Sequence, residues 1–344
     1  MRVVAGVTRS SIVAEPLLPA AHGPLSTAVR SALAGPLAND HLTRIGASVR
    51  DSDPYGLDLQ LALCMCYELH YRGFAGVDPA WEWNPALLGL RAELERVFLA
   101  GVRRDVGSIA DQTAAAEMDA ISIEPREGTG PSWYLRDTGT WEQMREYFAH
   151  RSVYHLKEGD PHAFAIPRLM GMAKAAFVAV EFDEYGAGQG SRLHQQLFAD
   201  LMSAAGLDST YLAYVDAVPA EALAAVNLMS LFGLHRSLRG AAVGHFASIE
   251  ITSPPGSARM VAALRRMNAP AECVAFYSEH VEADAVHEHV VRDDVVGDLL
   301  AREPQLEADV VFGMRAHAAV EDRLAERIMT SWNEGRTSLR RPLR

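Results

Sequence analysis

Residues Phe276 to Val290 read FYSEHVEADAVHEHV, and whatever fold this chain adopts has to accommodate them. At about 100° per residue, His280, Asp284 and His287 fall at about 0°, 40° and −20° on a helical wheel and share one narrow face. Glu279, Glu282 and His289 point elsewhere, and Val281, Ala283, Ala285 and Val286 leave little charge contrast around the helix. Such a stripe is not an ordinary solvated face. Ligand-type side chains spread over about 10 Å of helical rise suit two neighbouring ions better than one. The stripe reads as half of a two-metal site that needs partners elsewhere in the chain. The plainer alternative is chance spacing among 13 histidines.

Helical periodicity dominates the rest of the chain, and alternation over more than four residues is rare, so the class is all-α. Leu57 to Gly73 is apolar almost all round and predicts a buried helix that carries Glu68 and His70 inside it. A carboxylate in such surroundings needs a partner. Further helices are expected near 26–34, 83–106, 140–156, 161–184, 190–205, 219–237, 240–251, 256–267, 271–292 and 305–330. Residues 1–50 carry Pro16, Pro19, Pro24 and Pro36 among small residues and read as an arm, followed by a single helical domain over 51–335. Gly107 to Trp141 is polar and punctuated by Pro125, Gly128, Gly130 and Pro131, the pattern of an inserted loop (107–141) with a short extended piece at Ile121 and Ile123 at most. Residues 336–344, with Arg340, Arg341 and Arg344, read as a frayed tail.

With 49% hydrophobic residues over 344 positions a large core is available. The formal charge of −12, without a Lys/Arg block interleaved with aromatics, disfavours nucleic acid as a partner. Cys64, Cys66 and Cys273 form neither a disulfide framework nor a zinc pattern, which fits a reducing cytoplasm. Arg9, Ser10, Ser11 and Glu15 interrupt the apolar tint of the amino terminus before a signal-peptide core forms. Ala217 to Leu234 contains Pro219, Glu221 and Asn227 and reads as a buried helix rather than a membrane span. GAGQG at 186–190 lacks the strand–turn–helix setting of a dinucleotide fingerprint and the lysine of a P-loop.

Just before those glycines stands VEFDEYGAG, with Glu181, Asp183 and Glu184, and just after them Arg192 and His194. If the helix of AAFVAV runs on to Tyr185, one of these carboxylates faces inward, and Glu184 and His194 bracket a segment able to adjust. The inward candidates are then Glu68, Glu184, His194, His280, Asp284 and His287, an oxygen-and-nitrogen set without thiolate that suits iron or manganese better than structural zinc. Helix bundles build di-iron carboxylate sites from such side chains, although the two Glu-x-x-His motifs of the ferritin-like pattern are missing.

Glu68 within CYELHYRGF, Glu184 followed ten residues later by His194, and His280-x3-Asp284-x2-His287 together resemble the haem-oxygenase-like di-iron oxidase and oxygenase superfamily, the iron-containing redox enzymes. The likeness runs through most of residues 55–330. It implies a seven-helix haem-oxygenase-like bundle that binds two Fe(II) ions without haem and uses O2 as co-substrate. By position, Glu68, His194 and His287 would hold one iron, His280 and Asp284 the other, and Glu184 both. It also implies N-oxygenation of an amine, or C–H oxidation leading to desaturation or C–C cleavage, on a small-molecule substrate such as an amino acid or amine, with an external electron donor. A homodimer is expected on fold analogy.

Tyr71, Tyr185 and Tyr277 adjoin ligand positions and are candidates for hydrogen bonds to them or to bound oxygen, with Glu184, Tyr185 and Tyr277 as the catalytic set. Arg192, Arg236 and Arg239 are candidates for a substrate carboxylate. The stretch LHRSLRGAAVGHFASIE, with His235, His245 and Glu250, is expected to pack over the site. Two other readings stand beside this one: a cofactor-free oxidase whose histidines act as general acids and bases, and a non-catalytic helical protein in which the six residues form a buried ion-pair network.

Overall fold

The computed structural model describes residues 15–37, 42, 45, 49–110, 112–125 and 127–343, without the side chains of residues 282–286. Among the described residues there is no strand, and helix follows helix along the chain. Helix α1, Pro24–Leu33, buries Leu25, Val29 and Leu33 against α2, Leu57–Glu68. Asp58 in the first turn of α2 accepts the Leu25 and Ser26 backbone N–H groups at 2.9 and 2.7 Å, so α2 caps the otherwise unsatisfied start of α1. The part of the arm described here is therefore docked. Helix α2 is buried all round, as its apolar sequence requires. Helix α3, Pro85–Val106, starts on the Asn84 side chain, which accepts from Ala86 and Leu87 N–H, and ends at Gly107 with φ 69°.

The polar stretch 107–141 departs from the expected loop. It holds α4, Ala114–Ser122, and α5, Pro131–Asp137, so Ile121 is helical rather than extended. Thr113 caps the start of α4, Gly130 and Pro131 open α5, and Ala114, Met118, Trp133 and Leu135 are buried. The guanidinium of Arg315 holds Glu117 through a bidentate pair, and Arg266 donates to the Leu135, Arg136 and Gly139 carbonyls.

Helix α6, Trp141–His155, opens on a reciprocal Thr140–Gln143 cap. The helix expected over 161–184 is divided into a turn at Asp160–Ala163 and α7, Gly171–Glu184, with Pro167 between them. After α7 come α8, His194–Ala204, and the mostly apolar and largely buried α9, Ala220–Leu234. Helix α10, Arg239–Arg266, runs unbroken through Pro254 and Pro255, where two helices are expected from sequence. Each proline lacks the N–H that would reach the carbonyl four residues back, on Glu250 and Ile251. Helix α11, Ala271–His289, passes into a π-helical segment, Val290–Gly297, and α12 spans Glu307–Asn333.

Helix α10 lies between α11 and α12. At its crossing with α12 a Cβ on Gly244 would strike the Val310 carbonyl and one on Gly313 the Ala241 carbonyl, so these glycines set how closely the helices approach. The expected frayed tail is pinned: Ser338 is fully buried, its N–H and hydroxyl both donate to Glu146, and the Arg340 N–H donates to the Ala217 carbonyl at 2.7 Å. Among the described residues no helix is long and apolar enough to cross a membrane.

Candidate metal centre

Five segments converge on one buried spot: the turn after α6, the last turn of α7, the first residue of α8, the middle of α10 and the middle of α11. The loop between α7 and α8 decides how the first pair meets. Gly186 and Gly188 adopt φ 67° and 76°, and a Cβ on Gly186 would collide with the Arg192–Leu193 backbone, so glycine lets the chain double back tightly. The reversal carries His194 Nδ1 to 2.8 Å from Glu184 Oε2, with both side chains buried. That contact is too short to be accidental, yet the imidazole nitrogen forms no hydrogen bond of acceptable geometry. The two side chains thus set a nitrogen and a carboxylate oxygen side by side, both of a type that ligates metal.

Two groups of potential ligand atoms result among the described residues: Glu158, His194 and His280, and Glu184, Glu250 and His287, each with its atoms within 4.8 Å of one another. All six residues are buried. In the first group His280 Nδ1 lies 2.8 Å from the Phe276 carbonyl; donating there leaves the lone pair on Nε2, 3.6 Å from Glu158 Oε1. The same Glu158 oxygen lies 2.8 Å from His155 Nδ1, while its other oxygen is buried without a hydrogen-bond partner. In the second group His287 Nδ1 lies 3.1 Å from Glu250 Oε2, and Nε2 lies 3.1 Å from Asp183 Oδ2. The Glu184–His194 contact joins the groups.

The electrostatics are those of acids and imidazoles packed together away from water. Burial would raise the Glu158 carboxyl, yet His155 beside it holds it well below the usual carboxylate range. Burial would lower His194, and Glu184 holds it above the usual imidazole range. Glu181, one turn before Glu184, is pushed well above the usual range by burial and by Glu184, Glu250, Asp160 and Glu158 around it. Acids packed this way repel one another in a medium of low dielectric unless protons or metal ions intervene. The donors are carboxylates and imidazoles, which fit iron. Burial pushes the Cys64 and Cys66 thiols up to about 12, so neither is a thiolate ligand.

Of the residues expected from sequence, Glu184, His194, His280 and His287 come together here, and Asp284 lies outside the residues whose side chains are described. The grouping differs from the one the resemblance implies, since His194 stands with His280 rather than with His287. Glu68 is in neither group. It is fully buried, but its Oε2 takes the Lys157 ammonium at 3.2 Å and the Tyr211 hydroxyl at 2.8 Å. The Tyr185 hydroxyl donates to Asp160 at 3.1 Å, Tyr71 pairs with Ser230 at 2.9 Å, and the Tyr277 hydroxyl is buried without a hydrogen-bond partner. Arg192 pairs with Glu279, Arg239 with Glu303, and Arg236 is exposed, so none of these three is positioned for substrate.

Sequence reasoning overlooked Glu158 and placed Glu250 only within a stretch expected to pack over the site. Glu250 is the single carboxylate within AAVGHFASIE, the same signal that drew attention to Glu68. Glu158 lies in a turn, where no periodicity marks it, although His155 three residues earlier is a hint.

Beside the centre opens a cavity of ≈ 370 Å³, the size of a small-molecule site. Its wall includes Glu158, Glu184, Glu250 and His280 together with Tyr154, Tyr277, Phe276, Met229 and Val226. Farther out, Arg151 donates to both oxygens of Glu321 at 2.8 and 2.5 Å. His162, His245 and His317 line the same cavity, and burial lowers all three below the usual imidazole range.

No curated protein matches the chain. Residues 145–322, just over half of it and including every member of both groups, match the sequence model of the iron-containing redox enzymes. That match, on a strandless helical fold with two adjoining clusters of nitrogen and oxygen donors, makes the protein an iron-dependent oxidoreductase: the chain belongs to the iron-containing redox enzyme family.

Proposed function

We propose that the chain is a non-haem di-iron oxygenase or oxidase that uses O2 to oxidise a small-molecule metabolite carrying an amine, such as an amino acid. The observation that carries this reading is the contact between the two ligand groups. Because Glu184 of one group touches His194 of the other, two ions held by them would share a carboxylate. Glu158, His194 and His280 would hold one ion, and Glu250 and His287 the other; Asp284, expected from sequence beside His280, lies outside the residues whose side chains are described. Bound ferrous ions supply the electrons and the open coordination positions for reducing O2.

The remaining work falls to the protein. Burial of all six donors excludes bulk water, and mixed carboxylate and imidazole ligation leaves the ions little net charge to present to substrate. Tyr277, pushed well above the usual phenol range by burial, keeps its proton at Oη on the cavity wall and is the group proposed to donate to bound substrate or oxygen. Tyr185, through its bond to Asp160, positions the turn after Glu184. Arg151 and Glu321 are paired with each other on the wall and would meet a substrate's carboxylate and ammonium only by exchanging that pair for it. Either N-oxygenation of that amine or oxidation of a neighbouring C–H bond is consistent with this placement.

Anaerobic titration with Fe(II), followed by exposure to O2, tests the reading. Close to two ions per chain and an optical change on adding O2 are expected. Failure to bind iron, or activity that persists in excess chelator, would overturn it.

A further inference from the structure

Glu181 is used by neither ligand group, yet it is 2% exposed and neither of its carboxylate oxygens has a hydrogen-bond partner among the described residues. The charged groups that act on it most strongly are Glu184, Glu250, Asp160 and Glu158, all of them acids. A buried carboxylate normally accepts several hydrogen bonds or meets a cation. Position on α7 narrows the choice, since residues three apart on a helix share a face and Glu184 follows Glu181 by three. The chain also makes room for it. Gly159, with φ 83°, lies against the carboxylate, and a Cβ there would come within 3.1 Å of Glu181 Oε2 and 3.5 Å of Glu184 Cβ.

We propose that Glu181 is a further carboxylate ligand of the metal centre, directed to the ion of the Glu184, Glu250 and His287 group. This rests on the two-ion reading above and extends it by one carboxylate, beside Glu184 and Glu250, on that ion. With both oxygens unengaged by protein donors, the side chain is able to change between one-oxygen and two-oxygen contact without breaking a hydrogen bond. Gly159 leaves the space for that movement.

The test compares wild type with E181Q, which keeps the shape and removes the anionic donor. Anaerobic Fe(II) affinity is read by competition with a chromophoric chelator, coordination by the visible bands of the Co(II)-loaded protein, and fold integrity by thermal melting of the metal-free chain. Wild type is expected to take up two ions. E181Q is expected to bind one of them at least tenfold more weakly and the other unchanged, with altered Co(II) bands and a metal-free melting point no lower than wild type. E181Q that binds both ions within twofold of wild type with unchanged bands would show a buried protonated acid and overturn the proposal, leaving the centre intact. Metal-free E181Q that melts well below wild type would also overturn it, because the acid would then be serving the fold. Wild type that binds no metal would remove the centre and this inference together.

Discussion

Replacing Glu68 by Gln separates a fold-stabilising role for this acid from a metal-binding one. Glu68 Oε2 and Lys157 Nζ are 3.2 Å apart, and both side chains are almost fully buried. At an effective dielectric constant of about 20, two unit charges at that distance attract by about 5 kcal/mol. Glutamine retains an oxygen for the Tyr211 hydroxyl, so the substitution removes mainly the ion pair and leaves a buried ammonium over the Tyr71 ring. The expected loss of stability is about 3–5 kcal/mol, the range for breaking a buried pair on one side only. Urea unfolding of the metal-free protein measures it, and the double variant E68Q/K157M should recover most of the loss, since removing both charges is often close to neutral. Iron content of E68Q should stay at the wild-type value. An E68Q protein of wild-type stability that has lost an iron would refute the reasoning and return Glu68 to the ligand set.

H280A is expected to lose one ion and turnover, while the metal-free protein loses about 2 kcal/mol, the low end for truncating a buried side chain. A loss of about 3–5 kcal/mol without metal would instead favour a structural ion-pair network. For Glu321, burial alone would raise the pKa, but Arg151 outweighs it and holds the carboxyl at about 2 against an ordinary 4.5. The folded state therefore binds this proton less tightly than the unfolded one, and the pair contributes about 3 kcal/mol that is present above pH 4.5 and lost as pH falls towards 2. E321Q should be destabilised by about that much at pH 7, with a deficit that closes in acid; a deficit independent of pH would contradict this. Gly159→Ala introduces a side chain at φ 83° against Glu181 and should cost about 1–3 kcal/mol with weaker iron binding, read by unfolding and chelator competition.

Much of the helical architecture is legible in the sequence because apolar periodicity reports burial directly. The all-round apolar runs of α2 and α9 and the single-faced pattern of α3 each lead to the helix observed. Boundaries fail where tertiary contacts override local signals: two consecutive prolines do not end α10, which packs against both α11 and α12. The stretch 107–141 looks like a loop because its helices are short and begin after polar or glycine caps. At the centre, the His280 face and the Glu184–His194 step are readable because helix geometry and glycine content fix what they present. Glu158 is not readable, since only the folding back of the α6 turn brings it to His280. Glu68 shows the limit of the rule that a buried carboxylate needs a partner: Lys157, 89 residues away, is that partner.

Anomalous diffraction at the iron edge from crystals grown without oxygen and soaked in Fe(II) tests the central claim most directly. Two peaks are expected about 4 Å apart, one against Glu158, His194 and His280 and the other against Glu184, Glu250 and His287, with Glu184 touching both. A single peak, none, or a peak beside Glu68 would contradict the account.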